Sequence, residues 1–233
     1  MKLAAVIQAR YSSTRLPGKV LMQAQGKPLL GFLIERLRLS RKVRTLILAT
    51  SDQPEDDALE AFCTEQNLLC YRGSLKNVAR RFHEACQHFQ LDAFVRVNAD
   101  SPLIDPRLLD RAVDLFEQEA PDVVTNIQNR TFPKGESVEM VKVPAFQRAL
   151  SGMSKPEHFE HVTAYFYERP ELFKILNFTS GGAYNDIRLT VDTRDDFLTF
   201  TSILQQMTRP HWEYGWKDLL PLYKEVAARP QTI

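Results

Sequence analysis

Short apolar segments alternate with amphipathic segments along the first half of the chain, and this alternation strongly constrains the fold. Five apolar runs have the length of β-strands and cover residues 3–8, 45–50, 68–71, 93–98 and 122–126. The runs at 3–8, 45–50 and 93–98 are apolar on both faces, which is typical of parallel strands covered by helices on both sides. Between the runs lie amphipathic segments that predict helices and begin near residues 28, 54, 75 and 106. This order predicts a Rossmann-like α/β fold with three αβα layers and a mostly parallel, doubly wound sheet.

The pattern changes after about residue 126. The later half predicts strands at residues 138–143, 175–179 and 188–191, and helices at 157–168, 194–207 and 214–228. We expect these segments to complete the same sheet and to add a small excursion at about residues 130–180. A chain of 233 residues is long enough to bury a core without disulfides or metals. We therefore predict one domain over residues 1–233.

The charge balance excludes several classes of function. The chain has 30 Lys and Arg against 29 Asp and Glu, so its net charge is only +1. Such a balance argues against a generic nucleic-acid binder and against a polybasic membrane-surface protein, since both depend on excess positive charge. No apolar stretch approaches the roughly 20 residues of a membrane span, and the N-terminus lacks a signal-peptide pattern. Cys63, Cys70 and Cys86 form no CxxC pair, which favours reduced thiols in a cytoplasmic protein.

The loop after the first predicted strand, residues 9–19, concentrates positive charge. It contains Arg10, Arg15 and Lys19 together with three Ser and Thr side chains, and no acidic residue precedes Glu35. Ligands of open α/β folds bind at the carboxyl ends of the strands, where backbone N–H groups and cations can surround a polyphosphate. The loop is neither a P-loop nor a GxGxxG motif, because Gly18 is its only glycine. A solvated basic loop remains the alternative interpretation.

Two later segments each place an aspartate where a predicted strand ends. Asp100 follows the strand at 93–98, and Asp192 follows the strand at 188–191. Carboxylates beside a phosphate-binding loop are well placed to hold Mg²⁺. The alternative is that Asp100 caps a turn and that Asp192 caps the helix at 194–207, with Asp195 completing its first turn. Asp105 precedes Pro106 and fits the role of helix N-cap.

These segments together, in this order, resemble the CMP-sugar-acid cytidylyltransferases, which include the CMP-KDO synthetases and the acylneuraminate cytidylyltransferases. The branch with the greatest similarity is that of the spore-coat polysaccharide biosynthesis cytidylyltransferase-like proteins. The resemblance covers the chain to about residue 207. It rests on the pattern Ala-Arg-x-x-Ser-Thr-Arg-Leu-Pro-Gly-Lys at residues 9–19 and on the motifs at residues 49–52, 72–74, 100–106, 160–163 and 191–193. The sequence departs from the family pattern at Asn77, where the family usually has Asp, and at Ala99, where it usually has Gly.

The resemblance implies a nucleotide-diphospho-sugar transferase type of fold and a homodimer. It also implies a Mg²⁺-dependent transfer of CMP from CTP to a sugar acid or related acceptor, with release of pyrophosphate. It implies that Asp100 and Asp192 hold Mg²⁺ and that His161 and Thr163 contact the acceptor. It implies catalytic roles for Arg10, Arg15, Lys19 and Asp100. The implied nucleotide-binding residues are Ala9, Arg10, Ser12, Ser13, Thr14, Arg15, Lys19, Gly73, Ser74 and Asn98.

Two other functions remain open. A glycosyltransferase that uses a nucleotide sugar could share the scaffold, although Asp100-Ser101-Pro102 is not the DxD motif that such an enzyme needs. A nucleotide-binding partner protein without turnover is the second alternative, and the joint presence of the cations and the two aspartates disfavours it. Two further clusters, His158 with His161 and Trp212 with Tyr214 and Trp216, are interpreted as structural, because neither has a ligand-binding pattern.

Overall fold

A computed structural model of the protein describes residues 1–228. Its strands, in chain order, are β1 (Leu3–Gln8), β2 (Gln23–Ala24), β3 (Lys27–Pro28), β4 (Thr45–Ser51), β5 (Leu69–Gly73), β6 (Ala93–Asn98), β7 (Val123–Thr125), β8 (Glu139–Lys142) and β9 (Ile175–Asn177). Its α-helices are α1 (Leu29–Leu37), α2 (Asp57–Glu65), α3 (Val78–His88), α4 (Pro106–Glu119), α5 (Val143–Gly152), α6 (Pro156–Glu160), α7 (Ala164–Glu168), α8 (Arg194–Gln206) and α9 (Trp216–Ala228).

Seven strands form one mixed sheet in the order β5-β4-β1-β6-β8-β7-β9. The pairs β1–β4, β1–β6, β4–β5 and β7–β9 are parallel, whereas β8 runs antiparallel to both β6 and β7. Strands β2 and β3 form a separate small hairpin. The mostly parallel sheet is therefore confirmed. Its parallel half brings the carboxyl ends of β1, β4, β5 and β6 to one edge.

Helices cover both faces of this sheet. On one face, residues such as Ile7, Leu48 and Val97 pack against apolar residues of α1, α2 and α4. On the other face, Val6 and Ile47 pack against apolar residues of α3 and α5. Adjacent strand residues thus point into different apolar layers, which explains why these strands are apolar throughout. The three-layer αβα arrangement agrees with the prediction.

A third apolar cluster holds the last two helices against the edge of the molecule. It joins residues of α8 and α9 to the start of α1 and to the extended segment 187–191. This packing fixes the chain immediately before Asp192, since Leu189 and Val191 are buried in the same cluster.

The predicted helix over residues 157–168 is wrong in one respect, because the structure contains two short helices, α6 and α7. The backbone leaves helical geometry at His161, whose φ and ψ are −104° and 82°. The break buries Val162 and Thr163 and leaves His161 exposed. A hydrogen bond with 2.7 Å between His158 Nε2 and Glu168 Oε2 ties the two helices together.

The predicted strand over residues 188–191 is also wrong. The segment is extended, but it makes a single parallel bridge, between Arg188 and Lys134. Its other backbone contact is the bond from Val191 N–H to Asp100 O, at 2.8 Å. Helix α5, in contrast, was not predicted, although Pro144 lies in its first turn as helix-initiating prolines do.

Within residues 1–228, no helix is long and apolar enough to cross a membrane. All three cysteines are free, and Cys63 and Cys86 are buried while Cys70 is half-buried.

Glu136 is a carboxyl group buried without a cation in direct contact. Its Oε2 accepts a hydrogen bond from Asp105 N–H at 2.8 Å, and Oε1 has no partner among the described residues. Burial raises the pKa of Glu136 to about 8, from an ordinary value of 4.5. The folded state therefore binds a proton that the unfolded state has released, and its stability falls as the pH rises from about 4.5 to about 8.

We expect Glu136→Gln, which mimics the protonated carboxyl, to raise the melting temperature at pH 8 by at least about 3 °C. At pH 4 the carboxyl is protonated in the folded protein and mostly protonated in the unfolded chain, so the variant should melt near the wild-type temperature. Thermal melts at both pH values, with exposed Glu157→Gln as control, measure this. A lower melting temperature at pH 8 would show that Glu136 is stabilising in its ionised form.

Candidate active site

A cleft of about 260 Å³ opens at the carboxyl ends of β1 and β6. It brings together residues from five separate parts of the sequence, namely the loop after β1, the first turn of α3, the turn after β6, the junction of α6 and α7, and the segment before α8. The predicted site residues that line it are Ala9, Arg10, Ser13, Thr14, Arg15, Lys19, Asn98, Asp100, His161 and Asp192. The structure thus gathers most of the predicted set into one cavity.

The loop at residues 9–19 is held in a closed shape by its own backbone. Tyr11 O accepts hydrogen bonds from the N–H groups of Ser13 and Gly18, both at 2.8 Å. Tyr11 N–H donates to the buried carboxylate of Asp56, which also accepts from Ser51 N–H. Gly18 has a φ of +67°, and a Cβ there would lie 2.9 Å from the ring of Tyr11. Glycine is therefore required at position 18, and the loop is anchored to β4 through Asp56.

Lys19 lies between the two predicted metal-binding carboxylates. Its Nζ is 2.9 Å from Asp192 Oδ1 and 3.6 Å from Asp100 Oδ2, and it donates to Val191 O at 2.8 Å. The side chain is only 10% exposed. Asp100 and Asp192 therefore face a common cation position, although they are 92 residues apart in the sequence.

Asp192 is surrounded by cations. Arg15 Nη2 lies 2.7 Å from its Oδ1, and Arg188 Nη1 lies 3.1 Å from its Oδ2. Burial would raise its pKa, but the hydrogen bond from Lys19 and the charges of Lys19, Arg15 and Arg188 outweigh this effect and hold the pKa below its usual range. Thr193 caps α8, with Asp196 as the reciprocal partner, so the cap alternative for Asp192 is wrong and its carboxylate is free to face the cleft.

Asp100 has few partners. Its Oδ1 accepts from Ser101 Oγ at 3.1 Å, and its nearest cation is Lys19. Burial raises its pKa, Lys19 opposes this, and the nearby charge of Asp192 adds to the rise. The N-cap of the following helix is Asp105, as predicted, which accepts from Arg107 N–H at 3.0 Å. Its surroundings thus disfavour the ionised form of Asp100, and its carboxylate remains available to a further ligand in the cleft.

An ion pair spans the mouth of the cleft. Arg10 Nη2 lies 3.4 Å from Glu160 Oε1, and each side chain is 38% exposed. The pair joins the cationic loop after β1 to the wall formed by α6. An incoming anion would compete with Glu160 for Arg10, because the pair is partly solvated and only weakly held.

Four predicted site residues do not line this cleft. Ser12 is exposed at the tip of the loop, and Thr163 is buried behind His161. Gly73 ends β5, and Ser74 follows it, with Ser74 Oγ accepting from Asn77 N–H at 3.0 Å. Their predicted contacts with nucleotide or acceptor stay predictions.

Six residues that line the cleft were not among the predicted site residues: Gln8, Val20, Val78, Arg81, Ala99 and Glu160. Gln8 and Ala99 lie beside predicted residues and follow from the ends of β1 and β6. Val78 and Arg81 come from α3, one turn apart on one helix face. That spacing was the only sequence signal, and it indicates core packing as readily as a binding site.

Of the two clusters interpreted as structural, His158, Tyr214 and Trp216 are buried, whereas His161 and Trp212 are exposed. His158 is buried, and its Nδ1 lies 3.3 Å from Ser154 N–H. The ring of Trp216 contacts Phe132 with 5.2 Å between centroids. Within the described part of the chain, no group of three or more His, Cys, Asp or Glu residues could hold a metal ion.

The closed cationic loop and the paired aspartates at the edge of a parallel sheet define a nucleotidyltransferase-type site. The cytidylyltransferase family model matches residues 4–214, and the chain belongs to this family. The nucleotide-diphospho-sugar transferase type of fold is likewise confirmed by solved structures.

Individual relatives match over most of their length. The chain is 34% identical to the spore coat polysaccharide biosynthesis protein SpsF of Bacillus subtilis, over 86% of this chain and 85% of that protein. It is 33% identical to a 3-deoxy-manno-octulosonate cytidylyltransferase of Geotalea daltonii, over 100% and 85% respectively. The solved structure of a cytidylyltransferase from Leptospira borgpetersenii superimposes with a TM-score of 0.92 at 31% identity, covering 100% of this chain and 99% of that one.

Proposed function

We propose that the protein transfers CMP from CTP to a sugar acid, with release of pyrophosphate, in the synthesis of a surface polysaccharide. The observation that carries this proposal is the placement of Lys19 between Asp100 and Asp192, beside Arg10 and Arg15 in one cleft. The names of the relatives support it, since one acts in spore coat polysaccharide synthesis and another on 3-deoxy-manno-octulosonate.

The two aspartates fit a magnesium site. Both present carboxylate oxygens, which Mg²⁺ prefers, and both already face one cation, the ammonium group of Lys19. Magnesium usually takes only one or two protein carboxylates and completes its shell with substrate phosphates and water. When bound, the ion supplies positive charge against the phosphate oxygens. Asp100 and Asp192 are the residues that would hold it.

The reaction asks for charge stabilisation rather than a protein nucleophile. An acceptor oxygen attacks the α-phosphorus of CTP, a new P–O bond forms as the acceptor hydroxyl loses its proton, and pyrophosphate leaves with the electron pair of the broken bond. Negative charge grows on the leaving group, where preorganised cations lower the barrier most effectively. Arg10, Arg15 and Lys19 would stabilise this charge, and the backbone N–H groups of the loop would orient the phosphates.

The acceptor would approach along the wall that carries His161. This side chain lines the cleft and is exposed, whereas Thr163 is buried behind it and would act by positioning the turn. We further propose a cytoplasmic homodimer of single-domain subunits, in which the excursion at about residues 130–180 forms the contact between subunits.

A pyrophosphate-release assay that crosses four nucleoside triphosphates with a panel of sugar acids tests the proposal. We expect release only with CTP and an acidic sugar, as the family and the 3-deoxy-manno-octulosonate cytidylyltransferase relative suggest. We also expect it only with Mg²⁺, because the cleft has cations for phosphates and carboxylates for the metal. Reactions without acceptor, and reactions with EDTA, are the controls. Release from a nucleotide sugar instead of CTP would support the glycosyltransferase alternative, and no release in any combination would support the partner-protein alternative.

A further inference from the structure

Gln8 lies at the end of β1, on the floor of the cleft, and its amide group is held in one orientation. Its Oε1 accepts two hydrogen bonds from Arg96, from Nη2 at 3.0 Å and from Nε at 3.3 Å. Among residues 1–228, its Nε2 has no hydrogen-bond partner. The side chain is half-buried and lines the cavity. Because the oxygen is turned toward Arg96, the NH₂ group is the part of the amide that is open to the cleft, with two N–H donors.

Arg96 excludes the opposite orientation of this amide. A guanidinium group has five N–H donors and no acceptor, so an NH₂ group turned toward it would find no partner. The exchange would also leave Arg96 without two of its hydrogen bonds, and its side chain is only 11% exposed to water that could replace them. Leaving buried donors unpaired is costly. The chemistry of the pair therefore sets which end of the Gln8 amide faces the cleft.

A row of buried polar side chains fixes Arg96 in turn. Arg96 Nη1 lies 2.7 Å from Glu139 Oε2, and the Glu139 side chain is 3% exposed. Glu139 Oε1 accepts a hydrogen bond from Tyr167 OH at 2.7 Å, and this hydroxyl lies 2.9 Å from Thr125 Oγ1. Burial and the charge of Glu139 raise the pKa of Tyr167, so its hydroxyl keeps its proton at neutral pH. The row thus connects α7, through β8 and β6, to the end of β1.

Stability alone does not explain a row of this kind. The desolvation of two buried charges offsets most of their attraction, so a buried ion pair is a weak source of stability. On the same face of β6, Phe94 is apolar and buried, whereas the next two residues on that face are Arg96 and Asn98. The face therefore changes from apolar to polar at the end of the sheet that borders the cleft, where a fixed donor can serve a ligand.

The Gln8 donor lies on the side of the cleft that is bordered by His161. Gln8 shares its sheet face with Val6, which packs in the same apolar cluster as Val162, the residue after His161. Ala9, where the cationic loop begins, packs in the cluster on the opposite face. The polar row also leads from β1 through β6 to β8, away from β4 and β5. An acceptor that approaches along the His161 wall would therefore lie over Gln8.

We propose that Arg96, Glu139 and Tyr167 are positioning residues, which hold the Gln8 amide so that its NH₂ group donates to an oxygen of the acceptor. Gln8 is then a specificity-determining residue: it selects an acceptor with a carboxylate or hydroxyl oxygen at this point. A group that can only donate is rejected, because the amide cannot turn to offer its own oxygen. This inference rests on the proposed function, because it takes the second ligand of the cleft to be a sugar acid.

The first test compares Gln8→Glu and Gln8→Met with the wild type, using the sugar acid that gives the fastest pyrophosphate release. Gln8→Glu keeps an oxygen for Arg96 but replaces the donor that faces the cleft by a second oxygen. We expect its KM for the sugar acid to rise at least about thirtyfold, and that of Gln8→Met roughly tenfold. The dissociation constant for CTP, measured by calorimetry, should stay within about threefold in both. Gln23→Glu, exposed on β2, is the matched control and should behave as the wild type.

A double-mutant cycle tests the positioning role. The variant Arg96→Met/Glu139→Gln removes both charges together, so that neither is left buried alone. We expect it to raise the KM for the sugar acid at least about fivefold when Gln8 is present, and to have no further effect on this KM in Gln8→Met. Equal effects in the two backgrounds would show that the row is only structural and would overturn the inference. Should this variant fail to fold, Tyr167→Phe takes its place in the cycle.

Other outcomes overturn the inference in distinguishable ways. An unchanged KM for the sugar acid in Gln8→Glu removes Gln8 from acceptor recognition and leaves the proposed function intact. A matching rise in the dissociation constant for CTP assigns Gln8 to the nucleotide instead. A wild type that releases no pyrophosphate with any sugar acid contradicts the proposed function, and this inference with it. Should Gln8→Glu fail to fold, Gln8→Met decides: a roughly tenfold rise in KM supports the inference, and an unchanged KM overturns it.

Discussion

Asp100→Asn is expected to reduce pyrophosphate release at least about a hundredfold, without loss of the fold. The carboxylate faces the cleft beside Lys19 and is one of the two groups that would hold Mg²⁺. Burial and the charge of Asp192 raise its pKa, which shows that its negative charge is unfavourable in the folded protein. Replacement by a neutral amide of similar size should therefore leave the melting temperature unchanged or higher.

Two measurements, steady-state turnover with CTP and Mg²⁺ and a thermal melt, check this prediction. Asp195→Asn serves as the matched control, because Asp195 is exposed in the first turn of α8 and does not line the cleft. Turnover of Asp100→Asn within about threefold of the wild type would remove Asp100 from the reaction. A large fall in melting temperature would assign it a structural role instead.

Lys19→Met should lose both activity and stability. We expect turnover to fall at least about a hundredfold, because the cation nearest both carboxylates is removed. We also expect the melting temperature at pH 7 to fall by roughly 5–10 °C, since Asp100 and Asp192 are left facing each other without a buried cation. Exposed Lys76→Met provides a control for the loss of one positive charge.

The loss of stability in Lys19→Met should depend on pH. Lys19 and its neighbours hold the folded pKa of Asp192 below its usual range. The stabilisation is therefore fully present above the ordinary aspartate pKa and disappears as the pH falls through the lowered folded value. Thermal melts of the wild type and the variant should converge toward acidic pH. A constant difference between them across that range would show that Lys19 acts by packing rather than by charge.

Strand and helix positions in the parallel half followed from the sequence because local and tertiary signals agree there. Residues 3–8, 45–50 and 93–98 are apolar on both faces, and the structure covers both faces with helices. The predicted elements differ from the structure where tertiary contacts override the local sequence pattern. Residues 157–168 have helical composition, yet burial of Val162 and Thr163 breaks the helix at His161. Residues 188–191 look like a strand but pack into the third apolar cluster with a single bridge.

The candidate site was predictable where chemistry shows in the sequence. Arg10, Arg15 and Lys19 share one loop, and Asp100 follows a buried strand. Sequence spacing could not decide whether Asp192 is a metal ligand or a helix cap. Only the geometry at Thr193 identifies the cap. Arg81 could not be found, because an arginine in an amphipathic helix normally lies in solvent. Its burial arises from the packing of α3 on the sheet, which the sequence does not encode locally.

The most direct test of the central claim is to look for the product of CMP transfer. The protein would be incubated with CTP, Mg²⁺ and a panel of sugar acids, and the mixture examined by mass spectrometry and for pyrophosphate. We predict one sugar acid to which CMP becomes attached, with an equal amount of pyrophosphate and no product from UTP, ATP or GTP. Attachment of a different nucleotide, or pyrophosphate without a CMP-linked product across the panel, would contradict the account.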